Sequence, residues 1–187
     1  MGDPTPHGVV LSFRRLAGAA AVCLFALIPQ PCRAQFTQRD GQIIARTLSF
    51  IEAGTGGTLE IGIAYAPDSP DSVRKAQSLK AVIGDALAAG KVTLKARLIP
   101  IEQLANAMGI AGIFVIGELG AYSDQVPSAA LRLHIPTIST EMDCVQSARC
   151  ILAFSSQPTV EIVLNHNAAN SAGVHFTQAF RMLVREL

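Results

Sequence analysis

The 187-residue chain contains no tryptophan, only two tyrosines and eight phenylalanines. Aromatic side chains are the platforms on which nucleic-acid bases stack, so the sequence offers little material for such a site. Its longest apolar run, residues 16–28, has 13 residues, whereas a helix needs about 20 to cross a bilayer. We therefore expect neither a base-stacking surface nor a mature protein embedded in the membrane.

Recognisable catalytic motifs are also missing. There is no Gly-x-Ser-x-Gly motif, which hydrolases use to present a nucleophilic serine. A phosphate-binding turn would place glycines directly after the first strand of the fold. Residues 66–71 occupy that place and hold Asp68 and Asp71 but no glycine. The carboxylates would repel phosphate, so we expect no nucleotide cofactor.

The histidines and acids form no pattern that predicts a metal site or a carboxylate pair. His166 and His175 are nine residues apart, a spacing that fits neither a helical histidine pair nor the usual zinc motifs. His134 precedes Ile135 and Pro136, where we expect a loop or packing role. The sequence alone brings together no two of the acids Glu52, Glu118, Glu141 and Asp143. We expect a protein that is not an enzyme and holds no metal.

The N-terminus has the layout of a secretory signal peptide. Arg14 and Arg15 precede the apolar run, Pro29 and Pro31 follow it, and Ala34 occupies a suitable cleavage position. That order is typical of exported proteins, and ordinary secretion fits it better than twin-arginine export. We expect residues 1–34 to be a signal peptide and residues 35–187 to form one mature domain in the periplasm.

Cleavage at Ala34 changes the charge of the protein. The full chain carries 15 basic and 14 acidic residues. The signal removes three arginines and Asp3, which leaves 12 basic and 13 acidic residues, or −1. Nucleic-acid binding needs a clustered basic excess, so we exclude that class of partner.

Two of the four cysteines, Cys23 and Cys32, leave with the signal. The remaining pair, Cys144 and Cys150, has five residues between them and would be exposed to an oxidising compartment, which favours a disulfide. Closing so short a loop stabilises by about 2 kcal/mol on the chain-entropy model. A structural bridge, a regulatory bridge and a metal site remain the alternatives, in that order, because the Cys-x-x-Cys spacing of redox motifs is absent.

Hydrophobic periodicity alternates between the strand and helix patterns along the mature chain. Strands and helices in succession indicate a parallel sheet covered on both faces. The fold class predicted is α/β, one three-layer Rossmann-like or flavodoxin-like domain, mostly parallel, with a C-terminal antiparallel hairpin at the sheet edge. The predicted helices cover residues 36–53, 73–89, 100–108, 124–133 and 165–187, the last one broken near Gly173. The predicted strands cover residues 58–65, 91–99, 111–116, 135–140, 150–156 and 159–165.

The most distinctive segment covers residues 160–176, where a strand ending in asparagine leads into an alanine-rich helix that a glycine then breaks. Its signature residues are Glu161, Asn165, Ala168, Ala169 and Gly173. The segment resembles the C-terminal signature of the YfiR-like family of periplasmic proteins, DUF4154, and the late cysteine pair is similar to one found in some members.

The resemblance implies a periplasmic regulatory protein, often a dimer, that binds a diguanylate cyclase of the inner membrane and holds it inactive. A membrane-bound sensor kinase is the other partner considered. A second interpretation is a small-ligand-binding module that resembles one lobe of a solute-binding protein. Its crevice would lie near residues 66–71 and 117–122, because ligands of open α/β sheets bind beyond the carboxyl ends of the strands.

Overall fold

The computed structural model describes Met1, Gly2 and residues 36–52, 56–117 and 119–187. The predicted signal peptide, residues 1–34, falls outside the described residues apart from its first two. Contacts divide the chain into Met1–Arg33 and Ala34–Leu187. The second unit contains the α/β domain.

One eight-stranded sheet forms the centre of the domain. Its spatial order is β2-β3-β1-β4-β5-β6-β7-β8. The neighbouring strands pair in parallel except for β2 with β3 and β6 with β7. The parallel core β3-β1-β4-β5-β6 has the flavodoxin-like order, so the predicted fold class is confirmed. The strands are β1 Gly57–Tyr65, β2 Leu87–Ala89, β3 Val92–Pro100, β4 Gly112–Val115, β5 Thr137–Ser139, β6 Leu152–Ser155, β7 Glu161–Leu164 and β8 Arg185–Glu186.

Helices cover both faces of this sheet. The α-helices are α1 Gln38–Leu48, α2 Pro70–Ile83, α3 Gln125–Leu133, α4 Met142–Gln146, α5 His166–Ser171 and α6 Gln178–Arg181. The 3-10 helix Ile101–Asn106 connects β3 to β4, and the 3-10 helix Gly120–Tyr122 lies between β4 and α3. Among the described residues, no helix is both long and apolar enough to span a membrane.

Side chains along the central strands alternate between two apolar layers. Ile61, Ile63 and Phe114 are fully buried in the layer that α1, α2, α5 and α6 complete. Ala64 and Val115 face the opposite layer, which α3 and the first 3-10 helix complete. A parallel sheet needs this double covering because both of its faces are apolar.

The first helix shows how local sequence sets its position. Thr37 and Asp40 form a capping box at its start, which satisfies backbone N–H groups that the helix leaves unpaired. Ile44, Ala45 and Leu48 then follow at helical spacing and are fully buried. The cap fixes where the helix begins, and the apolar face fixes which side meets the sheet.

The predicted helix over residues 73–89 is too long. The second helix ends at Ile83, because Gly84 adopts a φ of 62° that a continuing helix cannot use. Leu87–Ala89 instead forms the edge strand β2, antiparallel to β3. The apolar residues that completed a helical pattern in the sequence belong to this short strand.

The C-terminus also differs from the prediction. The hairpin of β6 and β7 is confirmed, with Ser155 opposite Glu161, but it is not the sheet edge. The helix predicted to run to Leu187 is only four residues long, and β8 pairs with β7 beyond it. An exposed salt bridge of 3.1 Å between Glu161 and Arg185 also joins the two strands.

Candidate functional site: an apolar groove at the C-terminus

An open apolar groove lies between α1 and the C-terminal segment of the domain. We call it the C-terminal groove. Its cavity volume is about 420 Å³. It is lined by Arg39, Gln42, Ile43, Arg46, Thr47, Phe50, Val160, Ile162, Phe180, Leu183 and Val184.

The α1 helix forms one wall of the C-terminal groove with a face distinct from the one it packs on the sheet. The lining positions run from Arg39 through Ile43 and Arg46 to Phe50, at the spacing of one helix face. Ile43 is 8% exposed and lies at the base of this wall. The opposite face buries Leu48 in the core. The helix therefore places apolar side chains toward both the groove and the core, and its two arginines lie at the exposed edge of the groove wall.

Phenylalanine rings form the floor between the two walls. Phe50 stacks on Phe180 with ring centroids 5.2 Å apart, and Phe176 lies 5.1 Å from the same ring. Phe180 is 2% exposed, and Thr177 caps the short helix that carries it. Such ring contacts stabilise beyond their buried area, so the floor of the groove is well ordered by packing.

The second wall carries apolar side chains that nothing else in the domain covers. Leu183 is 75% exposed and Val160 is 42% exposed, although both line the groove. Met182 and Leu187 lie in the same segment and are also exposed. These four belong to a group of only seven large apolar side chains with high exposure in the described part of the chain. Exposed apolar residues that cluster in this way mark interaction surfaces.

Ion pairs hold this second wall in place. Arg181 meets the Glu186 carboxylate with Nε–Oε1 and Nη2–Oε2 distances of 2.6 Å and 3.1 Å. The hydrogen bond from Arg181 holds the pKa of the Glu186 carboxyl below its ordinary value. The backbone N–H of Leu187 donates to the carbonyl of Leu164 at 2.9 Å. The residues between Arg181 and Glu186 are thereby closed into a loop that presents Leu183.

The two arginines of α1 are the charged residues of the groove lining. Arg39 and Arg46 are both exposed, and neither forms a salt bridge among the residues described. Within the described part of the chain, no acidic residue lines the groove. The neighbouring Asp40 is buried and bonds to Thr37, so it does not neutralise them. The groove is apolar with a positive margin.

The residues that resemble the YfiR-like signature lie at the same end of the domain. The Asn165 side chain accepts from the Ala168 N–H at 2.8 Å and donates to the Val145 carbonyl at 3.0 Å. It thus caps α5 and ties this helix to α4. Ala169 is 3% exposed and packs in the core. The structure gives these signature residues a role in fixing the corner between β7 and α5.

Gly173 and His134 meet at that corner. Gly173 has a φ of 68°, and a Cβ there would lie 3.1 Å from Nδ1 of His134. That same nitrogen lies 3.0 Å from the carbonyl oxygen of Ala172. His134 itself ends α3 in the left-handed conformation. It is exposed at this helix end, which is the loop position that the sequence allowed, and only glycine fits opposite it without strain.

A second pocket lies at the carboxyl ends of β4 and β5, where open α/β sheets bind ligands. We call it the disulfide pocket, because the bonded pair Cys144–Cys150 forms part of its wall. Its cavity volume is about 40 Å³. It is lined by Val115, Gly117, Leu119, Ser123, Val126, Glu141, Asp143, Cys144 and Arg149.

The bridge that the sequence predicted is therefore present, but it does not close a hairpin. It ties the middle of α4 to the chain before β6, and the N–H groups of Arg149 and Cys150 both donate to the Cys144 carbonyl at 2.9 Å. On the β5 side, the Ser139 hydroxyl donates to the Val115 carbonyl at 3.3 Å and accepts from the Glu141 N–H at 3.1 Å. Both walls of the pocket are thus fixed through the backbone.

Comparison with known proteins confirms the fold and goes no further. No family model and no curated protein matches the chain. The fold is similar to that of a conserved domain protein from Vibrio cholerae, with a TM-score of 0.56 and 13% identity over 81% of this chain and 60% of that one. It is also similar to an ABC domain in complex with L-Trp from Streptococcus pneumonia, with a TM-score of 0.53 and 13% identity over 78% of this chain and 59% of that one. The chain thus spans about three fifths of either structure.

The crevice predicted near residues 66–71 and 117–122 is only partly assembled. Gly117 and Leu119 line the disulfide pocket, but no residue of 66–71 does. Near that loop, the charge and hydrogen bond of Glu102 raise the pKa of Tyr122, with a smaller contribution from Asp68. Glu118 is outside the described residues.

The structure brings together two histidines that the sequence left unrelated. His166 and His175 line one pocket with Glu52, because the turn at Gly173 folds the chain back. Nε2 of His166 lies 2.9 Å from the Asn170 side-chain nitrogen. No group of three or more metal ligands occurs within the described residues.

Sequence reasoning missed the C-terminal groove because it assigned the last apolar residues to the core face of a long helix. One sequence signal was available. Arg39 and Arg46 are seven residues apart with Ile43 between them, which places cations beside an apolar residue on a single face of α1.

Proposed function

We propose that the mature protein is a non-enzymatic periplasmic regulator that binds a membrane-anchored signalling enzyme through the C-terminal groove. The observation that carries this proposal is the exposure of Leu183 and Val160 on a groove whose floor is already well packed. Ordered apolar surface left open to water costs free energy unless a partner covers it. A regulator that acts by contact requires such a surface.

The resemblance of the signature segment to YfiR-like proteins supports a diguanylate cyclase as the partner. Glu161, Asn165 and Gly173 do not form a reactive site in this chain. They build the corner and the salt bridge on which the exposed segment rests. A signature that shapes a surface fits a family whose members act by binding. A membrane-bound sensor kinase is the alternative enzyme.

Deletion of the gene tests this proposal in the organism that encodes it. If the protein represses a cyclase, deletion raises cellular cyclic-di-GMP, and the intact gene supplied in trans lowers it again. Export is checked in the same strains by recovering the processed protein from the periplasmic fraction. A deletion strain with unchanged cyclic-di-GMP would contradict the cyclase assignment.

The disulfide pocket favours a second candidate, a small-ligand-binding module. Its position beyond β4 and β5 is the usual one for ligands in this fold, and the similar ABC domain is a complex with L-Trp. The lining of this pocket includes Arg149 as well as Glu141 and Asp143, and charges of both signs suit a zwitterion. A volume of about 40 Å³ is, however, well below the roughly 300 Å³ at which ligand pockets usually begin.

Thermal unfolding in the presence of L-tryptophan separates the two candidates. A ligand at one hundred times its Kd stabilises by about 2.7 kcal/mol, which raises the Tm by roughly 5–10 °C for a domain of this size. Binding at the disulfide pocket predicts that Arg149→Glu abolishes the rise, whereas Lys91→Glu, in the exposed turn after β2, retains it. An unchanged Tm in all three proteins would remove this candidate.

A further inference from the structure

The shape of the C-terminal groove restricts what can fill it. Its floor is formed by Ile43 and Phe180, which are 8% and 2% exposed. Its two walls are formed by α1 and by Val160 and Leu183. A flat surface would touch the protruding Leu183 but would not reach the floor. A rod with side chains inserted into the groove would reach both, as an amphipathic helix does in helix-in-groove recognition.

The length of the groove matches a short helix. One wall runs along α1 from Arg39 to Thr47, roughly 12 Å at 1.5 Å per residue, and continues to Phe50, just beyond the end of the helix. A helix of about three turns spans the same distance. Its side chains at positions i, i+3, i+4 and i+7 form the apolar stripe that such a groove accepts.

The charges of the groove restrict which charged residues can flank the apolar stripe of the bound helix. Arg39 and Arg46 are two turns apart on α1, about 10 Å along its axis, and neither is in a salt bridge within the described part of the domain. Of the described residues that line the groove, these two are cations and none is acidic. A neutral or basic helix would leave both guanidinium groups without a counter-charge beside a desolvated contact, which is unfavourable.

We infer that the C-terminal groove binds an amphipathic helix of the partner protein whose apolar stripe is flanked by two carboxylates about seven residues apart. The carboxylates pair with Arg39 and Arg46, and the apolar stripe covers Phe180 and Leu183. This inference rests on the proposed function, since it specifies the part of the partner that is bound. The charge pairs set orientation and the rate of association, while the apolar contact supplies most of the affinity.

Two synthetic peptides test the inference with the natively purified protein. Both are amphipathic helices of about four turns with the same leucine stripe. The acidic peptide has two glutamates seven residues apart on one flank, and the basic peptide has arginines there. Fluorescence anisotropy measures binding to the wild type and to the double variant Arg39→Glu, Arg46→Glu. The matched control is Lys80→Glu, Lys91→Glu, which makes the same charge change at exposed positions outside the groove lining.

We expect the wild type and the control to bind the acidic peptide at least tenfold more tightly than the basic one. The double variant should reverse this preference, because its glutamates pair with the arginines of the basic peptide. Equal affinity of both peptides for all three proteins would overturn the inference. Two other results would also overturn the inference if neither peptide binds. One is binding of the wild type to anionic phospholipid vesicles that the double variant abolishes. The other is a monomer–dimer equilibrium, seen in sedimentation, that the double variant abolishes.

Regulation in cells separates failure of this inference from failure of the proposed function. If Arg39→Glu, Arg46→Glu still represses the cyclase normally while Leu183→Asp does not, the groove is the regulatory surface but its occupant is not an acidic helix. If the peptides reverse their preference while deletion leaves cyclic-di-GMP unchanged, the helix site stands and the cyclase assignment fails.

Discussion

Arg181 and Glu186 form a two-point ion pair across the final turn of the chain, with contacts of 2.6 Å and 3.1 Å. The pair closes the loop that presents Leu183 to the groove. The hydrogen bonds from Arg181 lower the folded-state pKa of Glu186. The stabilisation of the folded segment by this ion pair is therefore fully present above the ordinary carboxyl pKa. It is lost as the pH falls through the lowered folded-state value.

Glu186→Gln should therefore loosen the C-terminal segment at neutral pH and have no further effect in acid. Hydrogen exchange at the Leu187 amide, which bonds to Leu164, is the local readout. We expect faster exchange in the variant than in the wild type at pH 7 and equal protection, after correction for the intrinsic rate, below the folded-state pKa. Glu141→Gln, at an exposed position outside the C-terminal segment, is the control. A difference that persists in acid would mean that the charge pair is not what closes the loop.

Truncation of Phe180 should destabilise the domain much more than truncation of Leu183, although both residues line the groove. Phe180 is 2% exposed, and Phe180→Ala should destabilise by about 3–5 kcal/mol because it leaves a cavity. Leu183 is 75% exposed, and Leu183→Ala should change stability by less than about 0.5 kcal/mol. Urea unfolding measures both. A large loss for Leu183→Ala would show that this residue is part of the core.

Asn165 should contribute to the stability of the domain through both its side-chain oxygen and its side-chain nitrogen. Asn165→Ala removes the cap of α5, which costs about 1 kcal/mol, and the hydrogen bond that its amide donates to the Val145 carbonyl, which costs about 0.5–1.5 kcal/mol. That carbonyl still accepts from the Ala148 N–H at 3.2 Å, so the loss is that of one bond. Asn165→Asp keeps the acceptor that caps Ala168 but loses the donor to Val145. We expect chemical unfolding to place Asp between Asn and Ala in stability at neutral pH. If Asp were as stable as Asn, the bond to Val145 would be unimportant.

The strong periodic segments were predictable from the sequence, and the ends of the domain were not. The strands around Ile61 and Phe114 are buried on both faces, so their apolar runs indicate one structure only. Leu87–Ala89 and Arg185–Glu186 depend on pairing with distant strands. No local pattern reveals that pairing, and an apolar residue in such a segment fits a helix equally well.

The candidate site was hidden for a related reason. The disulfide could be predicted from the cysteine spacing together with the expected compartment, since both cysteines are local to one connection. The groove joins α1 to a segment more than 130 residues later, so its lining could not be assembled from spacing. Exposure was the deciding property of Leu183, and a sequence does not show whether a leucine near the C-terminus is covered.

Removal of the Cys144–Cys150 bridge should have a modest and local effect. The paired change Cys144→Ser, Cys150→Ser should lower the free energy of unfolding by about 2 kcal/mol, as expected for a short loop. Urea unfolding of wild type and variant, with and without dithiothreitol, measures this loss. The reductant should bring the wild type to the level of the variant and leave the variant unchanged. A wild type that resists the reductant while the variant is destabilised would point to packing of the sulfurs instead.

The most direct test of the account is repression by a protein changed only at the groove. Leu183→Asp places a charge on the exposed wall, and Leu131→Asp, at a 48% exposed leucine of α3, is its matched control. In a deletion strain, we expect the wild type and Leu131→Asp to lower cyclic-di-GMP to the same level. Leu183→Asp should accumulate equally in the periplasm and fail to lower it. Full repression by Leu183→Asp would contradict the claim that the C-terminal groove is the regulatory surface.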